Sequence, residues 1–467
     1  MNSHFTRRAF LATGLLAAQQ PRPLIAGAAV VNITPALGSH IAGNMRFQIA
    51  EDVHDELHAK ALVLDNGAAR LAFVVCDSCA IAPEVIARAK SLIEKNTGIS
   101  PERVLISATH THSAPAAARL FQSEPDPSYL DFLSVRIADG VRRAVNRMQA
   151  ARIGWGTGRA DKLVFNRRYL LEPGGIPANP FGDAGEQVRT NPGIGNRKVL
   201  KVAGPVDPEV CLLAVQGTDG KPLCALGSFA LHYVGGVPAR VISADYFAVW
   251  SSGMQRRLNA GPDFVGMLAN GCSGNINNVD VNGPSTPYAP FSKMREVAEA
   301  LAAESERVWK QIQFRDWVEL DSTFENVDLA TRRPTSAEVE AAKKILPEDT
   351  NNVSDVRHVY AKETIQLQSY PARVAAPVQT FRIGDLGIAT FPGEAFVELG
   401  LEVKQKSPFK PTFLIELANS YLGYIPTVEA HRQGGYETWR AKSSFLEVEA
   451  APKLVEAALR GLQRLKR

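Results

Sequence analysis

The alternation of strand-like and helix-like segments is the feature that most constrains how this chain folds. Apolar runs predict strands at residues 26–33, 59–64, 71–76, 104–108, 210–215, 223–231, 264–268, 378–383, 386–391 and 413–417. Helical periodicity predicts helices at residues 83–94, 129–148, 246–258, 292–311, 337–345, 395–406 and 450–464. Because the two kinds of segment are interleaved, the sequence predicts an α/β architecture instead of separate all-helical and all-β halves.

Two stretches depart from this alternation. Residues 172–206 are dense in Gly, Pro and Asn and lack periodicity, so we expect one long excursion from the core. Long loops of this kind in compact domains are usually functional or disordered. Residues 331–373 are charged and helical, which indicates an insertion packed on the outside. The sequence shows no internal repeat and no clean domain boundary.

Charge and composition narrow the classes of partner. The net charge is only +4, and 52 Lys and Arg are scattered among 48 Asp and Glu, so neither a nucleic-acid stripe nor a polybasic membrane patch is expected. No run approaches the roughly 18 apolar residues that span a bilayer, so the mature protein should have no transmembrane segment. We expect a small-molecule or lipid-like substrate.

The cysteines do not indicate a disulfide framework, because there are only five in 467 residues. Cys76 and Cys79 form the single C-x-x-C, which lacks a second pair at zinc-finger spacing. We interpret it as a buried strand end and not as a metal or redox site.

The first residues have the pattern of an export signal. Thr6-Arg7-Arg8-Ala9-Phe10-Leu11 leads into a short apolar stretch, and small residues at positions 17 and 18 supply a cleavage region. This pattern is typical of twin-arginine signals, although a chance Arg pair before a buried helix is the alternative. We expect residues 1–20 to be a signal peptide and the protein to be periplasmic or secreted.

The strongest local signal is a pair of histidines just after a predicted strand. His110 and His112 lie among small residues in Ser107-Ala108-Thr109-His110-Thr111-His112-Ser113. Imidazole suits zinc, and a spacing of two lets one ring bind a metal while the other faces a substrate. A chance surface His-x-His is the alternative interpretation.

Three more candidate ligands follow predicted strands in the same way, namely His232, Glu394 and Tyr424. Ligand sites in α/β sheets form beyond the carboxyl ends of strands, so these side chains and His110 could converge. Taken singly, a His or Tyr in this position is more often a satisfied core residue.

In their order and amino-acid sequence, these segments resemble the catalytic domain of neutral (non-lysosomal) ceramidases over most of residues 25–440. The motifs that carry the resemblance are Gly27-Ala28-Ala29-Val30-Val31-Asn32-Ile33-Thr34-Pro35, the Thr-His-Thr-His-Ser segment, Asn166-Arg167, Val206-Asp207, Phe391-Pro392-Gly393-Glu394, Tyr424-Ile425-Pro426-Thr427 and Gly435-Tyr436-Glu437. The resemblance implies mixed β-sheets flanked by helices and one hydrolase domain over residues 24–467. Because the chain ends at Arg467, we expect no C-terminal immunoglobulin-like domain.

The resemblance also implies how the site residues divide their work. Four would hold Zn²⁺, namely His110, His232, Glu394 and Tyr424, and three would contact the reacting carbonyl, namely His112, Arg167 and Tyr436. Zinc lowers the pKa of bound water from about 15.7 toward ~7, which gives a nucleophile at neutral pH. The three donors would stabilise the negative oxygen of a tetrahedral intermediate. The expected function is an exported zinc-dependent hydrolase that cleaves an N-acyl amide bond.

One position departs from the family pattern. Asn277 occupies the place of a functional serine in ceramidases, which leaves the handling of a sphingoid head group open. An esterase or deacylase acting on a non-ceramide substrate is therefore one alternative, and a catalytically silent metal- or ligand-binding protein is another. Two apparent motifs are set aside, because Ser273 fails the G-x-S-x-G pattern and the glycines at 154, 156 and 158 lack dinucleotide-site spacing.

Overall fold

The structure is a computed structural model that describes residues 22–285, 287–347 and 353–467. The strands are β1 Ile25–Asn32, β2 Asp52–Val53, β3 His58–Asp65, β4 Arg70–Cys76, β5 Val104–Ala108, β6 Gln149–Arg159, β7 Phe165–Asn166, β8 Arg168–Leu171, β9 Val188–Thr190, β10 Val199–Val202, β11 Glu209–Gly217, β12 Pro222–Phe229, β13 Val241–Ile242, β14 Val265–Asn270, β15 Ile276–Asn277, β16 Leu320–Ala330, β17 Arg373–Ile383, β18 Leu386–Thr390, β19 Glu394–Ala395, β20 Thr412–Ile415 and β21 Tyr424–Ile425. The helices are α1 Pro83–Thr97, α2 Pro127–Asn146, α3 Asp245–Arg257, α4 Ser292–Trp309, α5 Ser336–Ile345, α6 Val356–Leu367, α7 Val397–Lys406, α8 Val428–Gln433 and α9 Ala450–Lys466.

Two mixed sheets form the centre of the fold. The larger has eight strands in the order β14-β12-β11-β6-β1-β3-β4-β5, and the smaller has the order β16-β17-β18-β20. Parallel pairing occurs between β12 and β14, between β4 and β5 and between β18 and β20, while the other pairs in these sheets are antiparallel. The predicted α/β class with mixed sheets is confirmed.

The two sheets face each other and carry helices on their outer faces. Phe73 of β4 and Phe381 of β17 meet in the core between the sheets, with ring centroids 4.9 Å apart. The outer face of the large sheet packs against α1 and α2 in one half and against α3 and α4 in the other. Helices α7 and α9 share a third core with the small sheet. Strands such as β3, β4, β12 and β18 are therefore buried on both faces, which explains their nearly continuous apolar runs.

The sequence did not predict two long strands, namely β16 at the edge of the small sheet and β6 in the middle of the large sheet. The glycines of β6 alternate, so their positions share one face of the strand. A Cβ at Gly154 would lie 2.3 Å from Ile312, and one at Gly158 would lie 2.1 Å from a Glu304 oxygen on α4. These glycines let the end of α4 and the chain after it approach the sheet closely.

Residues 172–206 and 331–373, which depart from the predicted alternation of strands and helices, both contain secondary structure. Residues 172–206 include β9 and β10, which pair on either side of β8. The predicted helical insertion contains α5 and α6, and a capping box at Thr335 and Glu338 begins α5. In the described part of the chain, no helix is long and apolar enough to span a membrane. The predicted signal at residues 1–20 lies outside the described residues.

Candidate active site

The fold places the predicted ligands at neighbouring strand ends. His110 follows β5 by two residues, and His232 follows β12 by three. Glu394 lies beyond β18 in the short strand β19, which pairs in parallel with β21 so that Glu394 is opposite Tyr424. Convergence thus arises because separate strands end at the same edge of the core.

The two histidines and the glutamate converge on one point. The Nε2 atoms of His110 and His232 are 3.1 Å apart. Oε2 of Glu394 lies 3.2 Å from Nε2 of His110 and 3.6 Å from Nε2 of His232. All three side chains are buried, at 1–3% exposure. This geometry could hold a metal ion.

The opposite ring nitrogens orient these imidazoles. Nδ1 of His110 is 2.7 Å from the carbonyl oxygen of Cys79, and Nδ1 of His232 is 3.0 Å from that of Ser273. A carbonyl can only accept, so each Nδ1 carries the proton and donates it. In the neutral form of each ring, the Nε2 lone pair is then left to face Glu394, as in histidines that ligate metals.

The glutamate supplies the clearest sign that a cation fits. Its Oε1 accepts a hydrogen bond from the Tyr421 hydroxyl at 2.8 Å, whereas its buried Oε2 has no hydrogen-bond partner among the described residues. A buried carboxylate oxygen is rarely left without a partner. Because Oε2 points at two imidazole nitrogens, the donor set suits a divalent ion such as zinc.

The charges in this cluster are strongly coupled. Burial opposes protonation of His110, but the Glu394 carboxylate outweighs it and raises the pKa of His110 well above its usual value. Burial, Arg167 and the other histidines lower the pKa of His232 well below its usual value. His232 is therefore neutral at pH 7, the form that a metal ligand requires.

Tyr424 and the three predicted carbonyl-binding residues surround the cluster. Nη2 of Arg167 donates to the Tyr424 hydroxyl at 3.1 Å, and the Tyr424 and Tyr436 hydroxyls are 3.4 Å apart. Nε2 of His112 lies 3.2 Å from Nε2 of His110, and its ring stacks on Tyr233 at 3.8 Å. The assigned division between ligands and carbonyl-binding donors stays a prediction.

A cavity of about 130 Å³ connects most of these groups. Its lining includes six of the predicted site residues, namely His110, His112, Arg167, Glu394, Tyr424 and Tyr436. Burial raises the pKa of Tyr436 despite the nearby Arg167 charge, so its hydroxyl keeps its proton at neutral pH. We call this space the catalytic cavity.

Asn277 lies in an adjoining cavity of about 260 Å³ that Arg167, His232 and Tyr233 also line. Its Nδ2 donates to Oδ1 of Asn191 at 2.8 Å, and its Oδ1 accepts from the Val279 amide at 3.0 Å. The amide is therefore already bonded within the protein, in a cavity that His232 also lines. Ile194, Val279 and Val281 give this space apolar walls.

Sequence reasoning assigned no role to several residues that organise the site. Glu437 is fully buried and pairs with Arg167 and Arg168. It directly follows Tyr436 in the Gly435-Tyr436-Glu437 motif, but the sequence predicted no role for it. Tyr421 donates to Glu394. Cys76 ends β4 as predicted, whereas Cys79 reaches the catalytic cavity, with Sγ 3.8 Å from Nδ1 of His110. The proximity of each residue to a recognised motif was the available signal.

Ser273 lies deep in the protein and has a supporting contact. Its hydroxyl donates to Oε1 of Glu416 at 2.6 Å, and its carbonyl accepts from His232. Burial raises the pKa of Glu416 to about 8. In this arrangement Ser273 orients a histidine and presents no free nucleophile to the catalytic cavity.

The chain is similar in sequence to two neutral ceramidases. No family model matches the chain. Neutral ceramidase of Pseudomonas aeruginosa is 24% identical over 452 residues, covering 82% of this chain, and the chain spans 64% of the length of that relative. Neutral ceramidase B of Dictyostelium discoideum is 25% identical over 218 residues, which cover 44% of this chain and 28% of that protein.

Solved structures show the same fold. The crystal structure of neutral ceramidase from Pseudomonas aeruginosa matches with a TM-score of 0.71 at 20% identity, over 95% of this chain and 75% of that one. A ceramidase complexed with C2 matches with a TM-score of 0.70 at 19% identity, over the same shares. The chain is thus a homologue of the neutral ceramidases and has their fold.

Proposed function

We propose that this protein is a zinc-dependent hydrolase that cleaves an N-acyl amide bond. The observation that carries the proposal is the buried Oε2 of Glu394, which has no hydrogen-bond partner among the described residues and faces the Nε2 atoms of His110 and His232. Zinc held there by His110, His232, Glu394 and Tyr424 would supply Lewis acidity and an activated water.

The remaining residues would act on the substrate carbonyl. Arg167 is a permanent cation, fixed by Glu437 and by the Gly274 carbonyl, which accepts from its Nη2 at 2.6 Å. Tyr436 offers a protonated hydroxyl to the same cavity. Burial, His110 and Arg167 lower the pKa of His112, so its neutral ring can donate one hydrogen bond. Such preorganised donors stabilise the negative charge that develops on an acyl oxygen.

The substrate we propose is an N-acyl compound smaller or more soluble than a membrane lipid. The two relatives are neutral ceramidases by name. By the sequence resemblance we assign Asn277 to the position of a serine in the neutral ceramidases, and its amide is already engaged by Asn191 and Val279. A pocket that seats a substrate hydroxyl on a serine would be differently paired here. Esterase or deacylase activity on a non-ceramide substrate is the second candidate function, because the same hydrogen-bond donors serve any acyl group.

A hydrolysis screen tests the proposal directly. The purified protein, loaded with zinc, is incubated with ceramides, N-acyl amino acids, N-acetylated sugars and simple esters, and product is followed by mass spectrometry. We expect cleavage of at least one soluble N-acyl compound, abolished in His110→Ala. Metal binding without turnover of any substrate would instead support a silent binding protein.

We further propose that residues 24–467 form one hydrolase domain and that twin-arginine export delivers it to the periplasm or the medium. The export proposal rests on Arg7, Arg8 and the apolar stretch that follows. Fractionation of cells expressing the full chain and its Arg7→Lys/Arg8→Lys variant tests it. Export of both forms, or of neither, would contradict a twin-arginine route.

A further inference from the structure

A second large cavity lies beside helices α5 and α6. Its volume is about 660 Å³, and it is lined by residues of helices α5 and α6, of the segment 179–186 and of the segment 431–440. None of its lining residues lines the catalytic cavity. Sites for small molecules usually have about 300 to 1,000 Å³. We call this space the second cavity.

One end of the second cavity carries a cation without a counter-charge. Arg332 donates to three backbone carbonyls, of Leu446, Thr438 and Ser444, at 2.8–2.9 Å. No carboxylate lies within 4 Å of it in the described ranges. Burial and the nearby charge of Arg440 lower the pKa of Arg332 to about 10, which leaves it charged at neutral pH.

Arg440 extends this positive end. One of its Nη atoms donates to Glu338 at 2.7 Å, but its buried Nε has no hydrogen-bond partner within the described chain. The acidic groups nearby are already bonded: Glu338 also caps α5, and Glu186 accepts from Trp439 and from the amide of Gly435. The lining holds four arginines against three carboxylates, so its net charge is positive.

Aromatic side chains form another part of the lining. The ring of Tyr360 lies 5.8 Å from Phe181 and 5.3 Å from Trp439, in edge-to-face geometry. Tyr360 is 1% exposed, and its hydroxyl has no hydrogen-bond partner in the described structure. Because this hydroxyl is itself inaccessible, Tyr360 contributes ring surface to the lining and no hydrogen bond to a ligand.

We propose that the second cavity binds an organic carboxylate with an apolar body. The carboxylate would lie against Arg332 and Arg440, where charge-assisted hydrogen bonds are strongest. The apolar body would lie against Phe181, Trp439 and the small residues of α5 and α6. This site is independent of the proposed zinc chemistry, because it shares no residue with the catalytic cavity.

Titration calorimetry with octanoate tests the site, and octanamide, which lacks the charge, is the matched neutral probe. Arg440→Gln removes one of the two guanidinium groups that would hold the carboxylate, and we expect it to weaken octanoate binding about tenfold or more. Ala341→Phe places a large side chain in the lining of the second cavity on α5 and should abolish binding, whereas Ala337→Phe, on the same helix but outside the lining, should not.

The wild-type protein is titrated both zinc-loaded and after chelation. We expect equal octanoate affinity in the two forms, because no proposed metal ligand lines the second cavity. Octanamide binding as tight as octanoate, unchanged affinity in Ala341→Phe, loss of binding on chelation, or no octanoate binding to the wild type would each overturn the proposal. None of these outcomes bears on whether the catalytic cavity hydrolyses an amide.

Discussion

Glu437 fixes the position of Arg167: its Oε1 accepts a hydrogen bond from Nε of Arg167 at 3.2 Å, and both side chains are buried. Oε2 of the same carboxylate accepts from Arg168 at 3.0 Å and from Thr190 at 2.6 Å. The guanidinium of Arg167 thereby lies 5.3 Å from the centre of the Tyr436 ring and 5.6 Å from that of Tyr424. A residue outside the catalytic cavity thus orients a residue inside it.

Glu437→Gln should slow turnover while the metal stays bound. The amide cannot neutralise two guanidinium groups, so Arg167 loses its fixed orientation, and changes of this supporting kind typically cost about 10- to 100-fold. The measurement is kcat together with zinc content, with Glu429→Gln, an exposed glutamate on α8, as the control. Unchanged kcat in folded Glu437→Gln would show that Arg167 needs no such support.

His110→Ala should remove both metal and activity. We expect about one zinc per wild-type chain and almost none in the variant, because the lost imidazole leaves an incomplete ligand set. Elemental analysis of both proteins measures this, and His54→Ala, which changes an exposed histidine stacked on Phe291, is the control. A folded wild type that stays metal-free after zinc loading would refute the metal site.

Tyr436→Phe should retain zinc and lose rate. Its hydroxyl is assigned to the developing oxyanion, and removal of one such donor typically costs about 10²- to 10³-fold in kcat. Arg167→Ala should likewise retain zinc and lower kcat. Steady-state kinetics with parallel zinc analysis separates the two roles, since loss of metal in either variant would mean that it helps to hold the ion.

Asn277→Ser should shift substrate preference toward ceramide. A serine hydroxyl is smaller than the amide and offers one donor, so it frees space in the adjoining cavity and breaks the contact with Asn191. The ratio of kcat/KM for a short-chain fluorescent ceramide to that for a soluble N-acyl compound is compared with the wild type. Efficient ceramide cleavage by the wild type, with no gain in the variant, would show that position 277 does not select the substrate.

Lys90 makes the stability of the protein depend on pH. Burial on α1 lowers the pKa of Lys90 from 10.5 to about 7, although Glu102 opposes the shift. Between these values the unfolded chain binds a proton that the folded chain does not, so the free energy of unfolding rises with pH across this window. The contribution is least favourable below about pH 7, where both states carry the charge.

Lys90→Met should therefore raise the free energy of unfolding at pH 7, by roughly 2 to 4 kcal/mol, and flatten its rise toward about pH 10. Methionine can fill the same space beside Phe324 without a charge. Urea unfolding at several pH values measures both effects, with Lys95→Met at the exposed end of α1 as the control. A variant that keeps the steep rise would place the pH dependence elsewhere.

The sequence by itself determined the class of fold and the strand ends that carry the site. Strands such as β4, β5 and β12 are buried on both faces, so their apolar runs are unbroken and easily recognised. His110, His232 and Glu394 follow such runs, and the rule that ligands gather beyond strand ends was enough to group them. Resemblance of the wider motifs then supplied roles that spacing alone did not.

Other features were decided only by tertiary structure, because they depend on contacts between segments far apart in sequence. The glycines of β6 look like a loop or a nucleotide motif until α4 is seen packed against them. Glu437 carries no signal of its own, since its function arises from an arginine 270 residues away. Arg332 and Tyr360 likewise meet around a cavity that no local pattern describes. Local periodicity records which face of an element is buried, whereas side-chain pairing and cavities are set by how the elements pack.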